Sequence, residues 1–181
     1  MKQPKTYHPK PITCPNGFTL IELLVVVSIL AILTTVVTVN FQRMRASDEL
    51  NAARQDLISK IREVQGFAYT GRTIPGQTEA ADAYIITLTA NSQSYQINYE
   101  LNSVSTPLET MNYSTGQRVT ATVLTINSLP TSPITIRISA PYGTTTVNNQ
   151  PNQIVDITLS HSSAGTKNVI IDGISGRVTA Q

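Results

Sequence analysis

A chain of 181 residues is long enough to bury one hydrophobic core, and one domain is the natural expectation. The formal charge of +2, from 13 basic and 11 acidic residues, includes three lysines of the first 17 residues; without these it is −1 and supplies no global basic field to draw in nucleic acid. A single cysteine, Cys14, excludes an intrachain disulfide, and no His or Cys cluster has the spacing of a metal site.

The first 17 residues form a basic leader, with Lys2, Lys5 and Lys10 and no acid. From Phe18 to Phe41 the chain then carries one acidic residue, no basic residue, no proline and no glycine. Its apolar stretch from Leu20 to Val39 covers about 20 positions, roughly 30 Å as a helix, enough to cross a bilayer core. A secretory signal peptide is excluded by that length and by the lack of a small-x-small cleavage site after it. A lipoprotein signal is excluded because the apolar stretch follows Cys14 instead of preceding it. Glu22 is the exception within the run. A carboxylate inside an apolar span costs about 2.5–3.5 kcal/mol and usually has a partner. Near the start of the run it could also snorkel to the interface, so on these grounds alone a plain single-pass anchor stays open.

The octapeptide Pro15-Asn16-Gly17-Phe18-Thr19-Leu20-Ile21-Glu22, behind a short basic leader, resembles the cleavage and methylation signature of type IV prepilins and type II secretion pseudopilins. The resemblance implies that prepilin peptidase cuts between Gly17 and Phe18 and methylates the new amine of Phe18, and that Glu22 is the acid used in assembly. Further implied partners are other pilin or pseudopilin subunits, the inner-membrane assembly platform and the lipid bilayer. The implied location is the inner membrane, single-pass, with the body extracytoplasmic and the assembled filament in the periplasm or at the cell surface. The chemistry agrees with these roles. Glycine before the scissile bond lets a protease approach the backbone closely. Glu22 lies one helical turn beyond Phe18, where a neighbouring subunit could offer its amine and so neutralise a buried charge and fix register. Removal of residues 1–17 would also take away Cys14 and three lysines, turning the formal charge from +2 to −1.

Beyond Asn40 the helical pattern continues and becomes amphipathic. Ala46, Leu50, Ala53, Leu57, Ile61, Val64 and Ala68 fall at steps of three or four and predict a core-facing stripe. Asp56 and Lys60 stand in the favourable i,i+4 order, and Arg43 with Arg45 suits a solvated face or an interface anchor. One helix is therefore expected from Thr19 to about Gly66, stopped by Gly71 and Pro75. Its β-branched run Thr34–Val39 lowers helix propensity, yet an intact helix is expected in the isolated subunit.

After Pro75 the period changes to two. Expected strands are Tyr84–Thr89, Ser94–Leu101, Arg118–Ile126, Ile134–Ala140, Gln153–Ser160 and Lys167–Ala180, the last folded into a hairpin at Asp172–Gly176. The expected fold class is α+β, a pilin fold whose long N-terminal helix, membrane-spanning in its first half, covers one face of an antiparallel sheet. The expected organisation is a leader at 1–17, a span or filament-core half-helix at 18–41, an amphipathic half-helix at 42–70 and a β-rich body at 71–181. The closing pattern Ala164-Gly165-Thr166, Ile170-Ile171-Asp172 and Ser175-Gly176-Arg177-Val178 is similar to the end of H-type minor pseudopilins.

No catalytic constellation is visible, so no enzyme, cofactor or metal is expected. His8 falls in the leader, and His161 is expected as a surface residue in a strand-end loop. The acids lack the alternating loop pattern that calcium prefers. A structural subunit of a pseudopilus or pilus is the expected function. The alternative is a minor tip pilin acting as a binding module for adhesion, DNA uptake or a secreted substrate, through loops such as Tyr142–Pro151. Past Gly71 only Arg72, Arg118, Arg137, Lys167 and Arg177 are basic, and their dispersion argues against nucleic acid as a partner.

Overall fold

The computed structural model describes residues 18–74, 78–116 and 118–180; the leader, with Gly17 and Cys14, and Pro75 lie outside them. A 51-residue helix, α1 (Leu20–Thr70), opens the described chain. Two units divide between Asn40 and Phe41, within this helix.

In the second unit the expected stripe is the buried face. Ala46, Leu50, Ala53, Leu57, Ile61, Val64 and Ala68 are all buried, joined by Ile58. Lys60 pairs with Glu63 and, on a strand of the body, with Glu109, instead of with Asp56. The helix stops four residues later than expected, at Gly71, which adopts φ +61°. Beyond it the Arg72 N–H donates to Phe67 O at 3.2 Å, and the Arg72 guanidinium lies over the Phe67 ring. This left-handed closure satisfies a terminal carbonyl and needs a residue without a Cβ penalty.

Among the described residues the body holds eleven strands in two antiparallel sheets, where one sheet of about six strands was expected. They are β1 (Ala83–Leu88), β2 (Ser94–Leu101), β3 (Val104–Asn112), β4 (Val119–Ile126), β5 (Leu129–Pro130), β6 (Ile134–Ser139), β7 (Thr144–Val147), β8 (Gln150–Pro151), β9 (Ile154–His161), β10 (Gly165–Asp172) and β11 (Val178–Ala180). The first sheet has the order β3-β2-β1-β6-β7-β8 and the second β11-β10-β9-β4-β5. The chain thus crosses between sheets three times, after β3, β5 and β8. A bridge between Ser92 and Ala121 stitches the sheets together.

Period-two alternation decides which side chains meet. Tyr95, Ile97 and Tyr99, then Ile134, Ile136 and Ile138, then Val155, Ile157 and Leu159 all point into one core shared with the helix stripe. Arg62 Nη2 donates to Val178 O at 3.0 Å and Gln65 Nε2 to Gly176 O at 2.6 Å, so α1 is also bound to the β11 end of the second sheet.

Three hairpins turn on residue pairs with positive φ: Asn102-Ser103, Asn127-Ser128 and Asn148-Asn149. Two consecutive left-handed residues match the twist of paired strands, and asparagine tolerates that region best after glycine. The last of these turns corrects an expectation. Tyr142–Pro151 is no open loop, because Thr144–Val147 pairs with β6 and Gln150–Pro151 with β7. The expected turn at Asp172–Gly176 is present, with β10 and β11 registering Val169 with Ala180 and Ile171 with Val178.

Candidate functional site: the start of the helix

Thr19 stands immediately before α1 and caps it. Its side-chain Oγ1 accepts from the Glu22 N–H at 3.3 Å. Glu22 Oε2 in return accepts from the Thr19 N–H at 3.0 Å and from the Thr19 hydroxyl at 2.9 Å. The pattern Thr-Leu-Ile-Glu is therefore a reciprocal capping box, in which two donors at the helix start are satisfied without water. The sequence carried this signal, a Thr with Glu three positions on ahead of an apolar run. Reading Glu22 only as an assembly acid passes over it. Both bonds use Oε2, so among the described residues Oε1 remains for a further donor, such as an ammonium.

The rest of the first unit is apolar and exposed. Phe18, Leu20, Ile21, Leu23, Leu24 and the large apolar residues that follow to Val37 have exposures of 49% or more where described. A contiguous apolar surface on that scale marks contact with lipid or protein. Its few hydroxyls are turned back onto the helix: Ser28 donates to Leu24 O, Thr34 to Leu30 O, Thr35 to Ala31 O and Thr38 to Thr34 O. Such bonds leave almost no polar hydrogen unsatisfied in an apolar medium. The backbone stays helical through Thr34–Val39, with the side chains of Val36 and Val39 outside the described residues. Over the described residues no helix is long and apolar enough to cross a membrane.

Gly17, the expected residue before the cut, lies outside the described residues; Phe18 and Glu22 are brought within one turn of each other. His161 departs from expectation. It is the last residue of β9 and is buried, not on the surface, because the inward parity of Val155, Ile157 and Leu159 continues to position 161. Its Nε2 faces Glu49 Oε2 at 3.6 Å. Counting parity one step further along β9 would have found it. Among the described residues, no group of three His, Cys, Asp or Glu side chains is placed to hold a metal ion.

Residues 14–38 match the family model described as the prokaryotic N-terminal methylation motif. No curated protein and no solved structure matches the chain. The chain thus carries the type IV prepilin and pseudopilin signal. That signal implies processing by prepilin peptidase and assembly with other pilin subunits.

Proposed function

We propose that this protein is a structural subunit of a type II secretion pseudopilus or a type IV pilus, without catalytic activity or cofactor of its own. It is made as a precursor, cut between Gly17 and Phe18, and methylated on the Phe18 amine. It is held in the inner membrane by Leu20–Val39 with its body outside the cytoplasm, and is then moved by the assembly platform into a filament. Carrying this reading is an apolar, exposed helix start whose single charge, Glu22, lies one turn from Phe18 with one carboxylate oxygen still able to accept. An ammonium from the neighbouring subunit would complete that carboxylate. Replacing a lone charge by a pair removes most of the penalty of burying it.

The alternative of a tip subunit binding through Tyr142–Pro151 loses ground, since that segment is hydrogen-bonded into the first sheet. Mass analysis of the membrane-extracted N-terminus tests the processing step: a methylated chain beginning at Phe18 is expected, and any other start refutes it. Glu22→Leu should insert in the membrane as well as the parent does while losing co-assembly with its partner subunits. Unchanged co-assembly would rule out the pairing.

A further inference from the structure

A second feature lies in the second unit, where a cavity of about 270 Å³ opens between α1, the residue before β4 and the end of β9. Gln42 and Arg45 reach it from α1, Arg118 from just before β4, and His161 and Ser163 from the end of β9 and the turn after it. Neither Arg45 nor Arg118 has a carboxylate partner among the described residues, and the Arg45 guanidinium rests over the Phe41 ring at 4.4 Å.

The one carboxylate present, Glu49, is partly engaged. Its Oε1 accepts from the Ser114 hydroxyl at 2.8 Å. His161 is 7% exposed, and its Nδ1 accepts from the Ser163 N–H at 3.1 Å. In the neutral ring this leaves the proton on Nε2. That Nε2 is buried without a hydrogen-bond partner, since Glu49 at 3.6 Å is beyond hydrogen-bonding distance. A buried donor without an acceptor is costly. Two unpaired guanidiniums and this orphan N–H converge on one cavity, and the charge there is net positive. An anion with several acceptor oxygens satisfies all three.

We propose that the cavity binds the phosphate group of an anionic phospholipid headgroup. The choice of lipid rests on the membrane-anchored reading above. Gln42 and Arg45 follow Val39, where the apolar run ends, by three and six positions. A headgroup layer is roughly 5–7 Å thick, which four or five helical residues traverse. Basic residues placed there take anionic headgroups.

The test uses the full chain in neutral detergent, with native mass spectrometry of retained phosphatidylglycerol, phosphatidylcholine and inorganic phosphate. Phosphatidylglycerol should be retained in preference to phosphatidylcholine. Arg45→Gln and Arg118→Gln should each reduce that retention about fivefold. Arg118→Lys should recover most of it, and Arg177→Gln, outside the cavity, should leave it unchanged. Equal retention of the two lipids, or no effect of either glutamine variant, overturns the site. Displacement of phosphatidylglycerol by inorganic phosphate with the same arginine dependence would assign the cavity to free phosphate and overturn the lipid source. Alkaline washing of membranes carrying the chain separates the two proposals. A chain that is washed off yet still shows arginine-dependent retention breaks the anchor reading alone. A chain that stays, with no arginine dependence, breaks the cavity alone.

Discussion

Asp156 projects from β9 on the face opposite the core, and its Oδ1 is buried without a hydrogen-bond partner. Burial holds its carboxyl above the ordinary aspartate range. The folded chain therefore keeps this proton more readily than the unfolded chain. Its favourable contribution is complete below the unfolded pKa and is lost as pH rises through the folded one. Asp156→Asn should accordingly raise stability at neutral pH and lose that advantage near pH 3, as read from urea unfolding at both values. Asp172 is the opposite case. The Ser175 hydroxyl and then the Ile174 N–H hold its carboxylate below the usual range. The stability it contributes is present above the unfolded pKa and lost as pH falls through the folded one. Gly143 illustrates a steric constraint: at φ +64°, any added Cβ would overlap the Tyr69 ring. Gly143→Ala should lower stability by more than about 1 kcal/mol, and Tyr69→Ala in the same chain should recover the part due to overlap, as a double-mutant melting comparison would reveal.

Among the elements, α1 was the most legible from sequence. Seven apolar positions at helical spacing predicted its buried face, while its end at Thr70 lies four residues beyond the expected one. Ile61 lies in the middle of that face with no exposure. Ile61→Ala should cost about 3 kcal/mol through the cavity it leaves, measurable as a lower unfolding midpoint in urea. Strand β3 was not legible, for two physical reasons. It is an edge strand whose residues are largely exposed, so it carries no apolar alternation. It also contains Pro107, which a central strand would exclude; here the register shifts beside it, with Pro107 opposite Asn98 and Glu109 opposite Ile97. The Asn-Ser turns that begin β3 and β5 are weaker signals than Asn-Gly, because serine enters the left-handed region at greater cost. The capping box of Thr19 and Glu22 was legible but masked by the assembly role expected of the same acid.

At the scale of the whole molecule, alternation reports which face of a strand is buried but not which sheet the strand joins. Buried faces of β1, β2 and β6 look the same in sequence as those of β4, β9 and β10, so two sheets were read as one. The three crossings after β3, β5 and β8 divide the strands between the sheets, and the bridge of Ser92 with Ala121 that joins the sheets leaves no compositional trace. Glu22 brings the scales together. In the single chain its carboxylate is held by Thr19 through one oxygen, and the other is left over. The pairing proposed above would therefore add to this arrangement without dismantling it. On the proposed reading, a subunit withdrawn from a filament would return to lipid with its acid still held by the Thr19 N–H and hydroxyl.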